Sequence, residues 1–387
     1  MIRTERALVG LALALIGGQR KLTLQERNLA VGASAPSAKS MAVTRGLILA
    51  GHDPLGEAFC ELRSPDVRRP MGATYTPPSI VDAMVGWAAG EPAAPARIVD
   101  PGAGSGRYLA AAATRFPEAA LVAIELDPLA CLLLRANAQV LGFANRLTIQ
   151  LKDYRAVKLP RIEGATLYIG NPPYVRHHDI TEQWKTWFAQ NAAAQGFKAS
   201  KLAGLHIHFF LKTRELARPG DFGTFITAAE WLDVNYGSVL REMLADGLGG
   251  SALHVINPEA QPFADAMATG AITCFRVGNR PNELTVRTAD SLTDLAPLSA
   301  GRGVDWAELS QARRWSGIVR GDPAHEPGMI ELGELFRVHR GQVTGSNGTW
   351  IENPAMAGVP SRYLKATVTR ARDLITAGVT LHSPAAL

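Results

Sequence analysis

Arg97-Ile-Val-Asp-Pro-Gly-Ala-Gly-Ser-Gly-Arg-Tyr-Leu109 is the stretch whose reading decides the fold. A short apolar strand runs into Asp100-Pro101, passes through a turn carrying Gly102, Gly104 and Gly106, and enters an alanine-rich helical run. Strand, glycine turn and helix in that order make the first β-loop-α unit of a doubly wound sheet. The glycines let backbone approach a ligand closely. Their spacing differs from the Gly-x-Gly-x-x-Gly of dinucleotide sites, and no Lys-Ser/Thr follows as in a phosphate-binding loop. Asp100 at the strand end is unsuited to a pyrophosphate and suits a cationic amino-acid ammonium group. The loop therefore favours S-adenosylmethionine over NAD or ATP.

Downstream, Leu121-Val-Ala-Ile124 reads as a second strand ending in Glu125-Leu126-Asp127-Pro128. An acid about twenty residues past the glycine loop, at the tip of the second strand, is where such folds grip a ribose diol. Glu125 is the first candidate and Asp127 the second, with a helix N-cap as the other use of Asp127. A third strand, Leu147–Gln150, leads to Asp153 and Tyr154, either an adenine-amine acceptor and its stacking neighbour or ordinary loop residues.

The fourth strand, Leu167–Ile169, breaks into Asn171-Pro-Pro-Tyr174. Two prolines cannot continue a ladder, so the strand ends in a stiff loop. An exocyclic nucleobase amine is a poor nucleophile because its lone pair is delocalised into the ring. The Asn171 amide oxygen and the Pro172 carbonyl could accept its two hydrogens and draw the nitrogen toward tetrahedral geometry, while Tyr174 offers a face for the base. The bland alternative is a turn with an exposed tyrosine. All four candidate sites fall at carboxyl ends of successive parallel strands, where open α/β sheets bind ligands.

Upstream, Thr76-Pro-Pro-Ser79 reads as a helix start, with Ile80, Met84 and Trp87 at helical spacing. Its hydroxyls and N–H groups either meet a carboxylate or simply cap the helix. The apolar run Ala7–Ile16 is too short for a bilayer, which needs roughly twenty residues, and no small-residue cleavage site follows it. It is expected to pack on the main domain, a secretory signal being the alternative. Residues 32 to 38 are loose enough for a linker, and no chemistry is assigned to the first 65.

At 387 residues and 47% hydrophobic, the chain has the means to bury a large core. A net charge of +5 permits a polyanionic partner without requiring one. Cys60, Cys131 and Cys274 show no Cys-x-x-Cys spacing, which argues against a zinc ribbon or disulfide framework and for a reducing, cytoplasmic setting. His177-His178 and His206-x-His208 lack partners at ligand spacing, so no metal is expected. Helices are expected over 201–216 and 231–244, with later strands at 223–227, 253–256 and 271–277.

Taken together, Gly72-Ala-Thr-Tyr-Thr-Pro77, Asp100–Gly106, Glu125–Pro128, Asp153 and Asn171–Tyr174, in that order, resemble the N6-adenine-specific DNA methyltransferases in which the cofactor motif precedes the catalytic motif and a target-recognition region follows both. The resemblance covers about residues 68 to 280. It implies an α/β, Rossmann-like seven-stranded sheet with its last strand antiparallel. It also implies an S-adenosylmethionine pocket lined by Thr76, Asp100, Gly102, Gly104, Gly106, Glu125, Leu126, Asp127, Asp153 and Tyr154. Asn171, Pro172 and Pro173 would form the catalytic loop, with Tyr174 and Phe263 on the two faces of a flipped adenine; the amine inside a duplex cannot otherwise meet the methyl donor.

The expected organisation is a helical extension over 1–67, a catalytic domain over 68–280 and a linker with a partial target-recognition region over 281–387. Leu332–Trp350 resembles the opening of that region, yet only 37 residues follow Trp350. The chain is therefore expected either to be truncated or split, or to read double-stranded DNA with another polypeptide, a specificity subunit or restriction endonuclease. Arg176, Arg337 and Arg340 are candidate phosphate contacts, which confer affinity without sequence choice; a solvated basic surface is the alternative. Two other functions stay open: the same chemistry on RNA or protein glutamine, and a non-catalytic DNA-binding subunit that needs a partner.

Overall fold

The computed structural model describes residues 2–18, 22–64, 76–263, 268–321, 347–351, 358–364, 366–367 and 385–386. It divides into Met1–Asp322 and Pro323–Leu387. The first unit opens with four helices, α1 (Glu5–Ile16), α2 (Leu24–Ala30), α3 (Ala38–Leu49) and α4 (Pro54–Leu62). There follow α5 (Pro78–Ala89), β1 (Pro95–Pro101), α6 (Arg107–Arg115), β2 (Ala120–Glu125), α7 (Pro128–Val140), β3 (Leu147–Leu151), β4 (Ala165–Gly170), α8 (Glu182–Ala194) and α9 (Leu205–Leu216). The sheet is completed by β5 (Phe222–Ala228), α10 (Ser238–Ala245), β6 (Gly250–Ile256), β7 (Gly270–Arg276), β8 (Glu283–Ala289) and β9 (Arg302–Asp305). In the second unit the described residues include one antiparallel pair, Ala366–Thr367 with Ala385–Ala386.

The strand order is β3-β2-β1-β4-β5-β7-β6-β8-β9. Strands β3, β2, β1, β4 and β5 run parallel, and β7 enters antiparallel between β5 and β6. The first seven strands form the Rossmann-like methyltransferase sheet. Two more extend it, β8 parallel to β6 and β9 antiparallel to β8, so the sheet continues past residue 280. Order reverses between β1 and β4, whose carboxyl ends carry the glycine turn and the Asn-Pro-Pro-Tyr loop. That is the crevice where such sheets bind ligands.

Alternation along the strands assigns the two faces. Val99, Val122, Tyr168 and Phe225 point into one core with α9 and α10, while Ile98, Leu121, Leu167, Ile169 and Ile226 point into the other with α5 and α6. Helix α7 is apolar nearly all round, and such a helix must be covered on both sides. Leu134 and Ala138 meet the sheet; Leu129, Leu132, Leu133 and Ala136 meet Leu8, Leu11, Leu15 and Leu55 of the N-terminal helices. The buried Glu26 carboxylate closes the capping box of α2 and takes Arg135 Nε of α7 at 2.6 Å. The stretch expected to pack on the main domain does so as α1.

Two helix expectations are corrected. α9 begins only at Leu205, after the turn Lys201–Gly204. The run from Trp231 is two 3₁₀ turns up to Gly237, where a side chain would sit 2.0 Å from the Trp231 carbonyl oxygen, and α10 follows at Ser238.

Candidate active site

A cavity of about 350 Å³ opens at the β1/β4 crevice, within the range of small-molecule sites. Thr76, Gly102, Gly104, Glu125, Leu126, Asp127, Asp153, Tyr154, Asn171 and Pro173 line it. Of the sequence candidates, Asp100, Gly106, Pro172, Tyr174 and Phe263 do not.

The glycine turn holds Gly102, Gly104 and Gly106 at φ of 81°, 54° and 90°, a region closed to most side chains. Their roles separate on what a side chain would meet. At Gly104 it would meet nothing within 4 Å, whereas at Gly106 it would lie 2.0 Å from Leu134 Cδ1 of α7. Gly104 keeps the cavity open, and Gly106 lets helix and strand pack. Gly170 does a third job, since a Cβ there would fall 2.5 Å from Asp100 Oδ1. Asp100 tucks under that bare backbone, fully buried, with neither carboxylate oxygen hydrogen-bonded among the described residues. Burial, then the Glu125 charge, push its carboxyl well above the usual range. Burial of this kind disfavours the charged form of a carboxyl.

Thr76 connects the helix-start loop to the Asn171–Tyr174 loop. Asn171 Nδ2 donates to Thr76 Oγ1 at 3.0 Å, which turns the amide oxygen toward Tyr174. The Tyr174 hydroxyl donates to Asn171 Oδ1 at 2.6 Å and lies 3.2 Å from the Ile226 carbonyl oxygen. The acceptor expected for a nucleobase amine is thus capped from within. Tyr174 and Phe263 meet edge to face at 5.1 Å, with no slot between their rings. The Asn171 backbone lies against Gly102, so the amide stands where the loops after β1 and β4 meet.

The acids divide by what already engages them. Glu125 accepts from Gly104 N at 2.8 Å, Leu126 N at 2.7 Å and Asp127 N at 3.0 Å, which fixes the carboxylate at the cavity wall. Burial outweighs these bonds and moves its pKa upward. Asp127 caps α7 through Leu129 N and pairs with Arg63, so the capping use weighed in the sequence is the one seen. Asp153 caps the turn after β3 and binds Arg155 with both oxygens, at 2.9 and 2.6 Å. The Arg155 guanidinium lies 4.1 Å from the Trp184 ring centre. Tyr154 is buried, its hydroxyl 3.0 Å from Thr213 Oγ1 and its ring 5.0 Å from Phe209.

Arg176 is exposed just past the Asn171–Tyr174 loop. Arg337 and Arg340, with the 332–346 part of the recognition-like stretch, lie outside the described residues. Within α9, His206 and His208 are buried and burial lowers their pKa to about 4 and about 3; His208 stacks on Phe188 at 4.1 Å. Among the described residues no helix is long and apolar enough to cross a membrane.

Sequence reasoning missed one wall. Gly56, Phe59 and Cys60 of α4 line the cavity, as do Trp184 and Phe209. The sequence carried no distinct signal for this wall, because Gly56 is one of several helical glycines and Gly46 and Gly86 meet no close neighbour.

The Eco57I restriction-modification methylase family matches residues 161–257, the part carrying the Asn-Pro-Pro-Tyr loop. The chain is 51% identical over 392 aligned residues to the type II methyltransferase M.XamI of Xanthomonas campestris pv. amaranthicola, covering 99% of this chain and 72% of that one. It is 35% identical over 95 residues to a tRNA1(Val) (adenine(37)-N6)-methyltransferase of Porphyromonas gingivalis, covering 23% of this chain and 37% of the other. In structure it resembles the type IIG restriction endonuclease BpuSI, with a TM-score of 0.56 and 19% identity over 79% of this chain and 43% of that one, a likeness of fold. With half its residues identical to M.XamI along nearly its whole length, the chain belongs to the type II restriction-modification methyltransferases.

Proposed function

We propose that this chain transfers a methyl group from S-adenosylmethionine to the N6 amine of adenine in double-stranded DNA, as the modification partner of a restriction endonuclease. The observation that carries this reading is the Asn171 amide, anchored through Nδ2 to Thr76 at the cavity wall beside the glycine turn. The residues fit the cofactor. Gly104 leaves open space, Glu125 holds a fixed carboxylate for a diol, and Leu126, Tyr154 and Phe209 supply apolar wall. S-adenosylmethionine, when bound, supplies an electrophilic methyl on a sulfonium.

The protein's own groups do the rest. Asn171 Oδ1 and the Pro172 carbonyl accept the two amine hydrogens and localise the nitrogen lone pair. The loop is stiffened by Pro172 and Pro173, so the acceptors do not reorganise as charge develops on nitrogen. Tyr174, once its hydroxyl leaves Asn171, offers its ring to the extruded base, which stacking stabilises by about 1–3 kcal/mol. Arg176 is exposed for a phosphate, a contact that adds affinity but no sequence choice. Sequence choice then falls to residues after 281 or to a separate specificity polypeptide. The work is assigned to the cytoplasm, where DNA is at hand and the three thiols stay reduced.

The identity to a tRNA adenine-N6 enzyme supports the amine chemistry and makes RNA the second reading. The test is tritiated methyl transfer by the purified chain to mixed DNA, RNA and protein, followed by digestion to nucleosides. N6-methyladenine from DNA, abolished by Asn171→Ala, is the expected result; label confined to RNA or protein overturns the substrate assignment.

A further inference from the structure

The four N-terminal helices carry no motif, yet α4 reaches the cavity. Gly56, Phe59 and Cys60, at i, i+3 and i+4 on one helix face, lie on its wall. The helix is held there by its N-cap, Asp53. One carboxylate oxygen accepts from Gly56 N at 2.9 Å and Asn137 Nδ2 at 3.2 Å, and the other from Ser105 Oγ at 2.5 Å and Arg107 Nε at 2.9 Å. Ser105 belongs to the glycine turn. A Cβ on Gly56 would fall 2.1 Å from Asp53 Oδ2 and 2.6 Å from Ser105 Oγ, so a side chain there would displace the groups that make the latch. Arg107 passes the connection on, donating to the Thr76 carbonyl at 3.1 Å, and Thr76 holds Asn171. At the other end of α4, Arg63 pairs with Asp127 beside Glu125.

We propose that α4 is a cofactor-binding element of this enzyme: Asp53 latches it to the glycine turn, and Phe59 and Cys60 lie against the bound nucleoside between that turn and the tip of β2. This rests on the S-adenosylmethionine reading. Asp53 is a positioning residue, acting through Ser105 and Arg107, whereas Phe59 and Cys60 touch the ligand. Helical extension and catalytic loop become one connected site, in which cofactor affinity depends on residues some fifty positions before the glycine turn.

The chain carries its own reporter. Cys131 and Cys274 are fully buried, with burial raising both thiol pKa values, while Cys60 is half-buried at the cavity. The full-length protein is treated with N-ethylmaleimide with and without saturating S-adenosylhomocysteine, labelling is read residue by residue by mass spectrometry, and binding is measured in parallel by equilibrium dialysis. Binding with Cys60 labelling slowed by about tenfold or more is expected, together with a Phe59→Ala dissociation constant about tenfold higher, compared at equal folded fraction because Phe59 is also buried against the N-terminal helices. Measured binding that leaves the Cys60 rate and the Phe59→Ala constant unaltered overturns this inference and spares the cofactor reading. No binding of either S-adenosylhomocysteine or S-adenosylmethionine overturns the cofactor reading itself.

Discussion

Replacing Tyr174 by phenylalanine deletes one hydroxyl and keeps the ring. That hydroxyl donates to Asn171 Oδ1 at 2.6 Å, the acceptor the adenine amine needs. A neutral hydrogen bond of this kind contributes about 0.5–1.5 kcal/mol net, so Tyr174→Phe is expected to lower unfolding stability by about 1 kcal/mol. The same contact must open before the amine can reach Oδ1. Deleting it removes an opening cost of similar size, which corresponds to roughly a fivefold rise in kcat/KM. Tyr174→Ala also frees the acceptor but loses the stacking face. At about 1–3 kcal/mol for that face, it falls roughly fivefold to 150-fold below the phenylalanine variant. Urea denaturation and initial rates of tritium transfer to unmethylated DNA measure the two effects. A phenylalanine variant slower than the parent by roughly threefold or more would refute the reasoning, because the hydroxyl would then act during methyl transfer rather than block the approach to it.

Two further outcomes follow from the geometry. Gly106→Ala combines φ of 90° with a Cβ 2.0 Å from Leu134 Cδ1 and is expected to cost about 1–3 kcal/mol or more, read as a lower urea midpoint. Gly104→Ala at φ of 54° meets no atom and loses about 1 kcal/mol, but weakens cofactor binding in dialysis; equal destabilisation by the two would contradict the separate roles. The buried imidazoles of His206, His208 and His254 have folded pKa values lowered to about 4, 3 and 4. The unfolded chain takes up those protons first, so this part of the stability is complete above the ordinary histidine pKa and is lost as pH falls toward 4. The raised carboxyls of Asp100 and Glu125 work in the opposite direction. His208→Phe isolates one histidine and should lose about 2 kcal/mol less than the parent between pH 7 and pH 5. Parallel losses in the two proteins would show that His208 does not titrate as its burial requires.

Much of the candidate site's geometry was legible because its rules are local. The glycine spacing of 102–106, the prolines that stop β4 and the acid at the tip of β2 each act within a few residues, and strand ends gather wherever a parallel sheet forms. What was not legible is which partner each polar group takes. Asp127 and Asp153 look alike as candidates until Arg63 and Arg155 engage them. Asn171 looks free until the Tyr174 hydroxyl caps it. The 231–244 helix reading ran long because periodicity does not register a glycine pressed against a carbonyl, as Gly237 is against Trp231.

The amino-acid order alone thus determined the doubly wound class, the order of the motifs and the edge of the sheet on which they gather, all consequences of backbone geometry between near neighbours. Tertiary structure decided that β8 and β9 extend the sheet, that α7 needs a helical cover on its outer face, and that Asp53 meets Ser105, Arg107 and Asn137. The Asp53 contacts alone join residues up to 84 positions apart, and the Glu26–Arg135 pair spans 109. No local periodicity encodes them, because they exist only once burial of the apolar faces has brought the segments together.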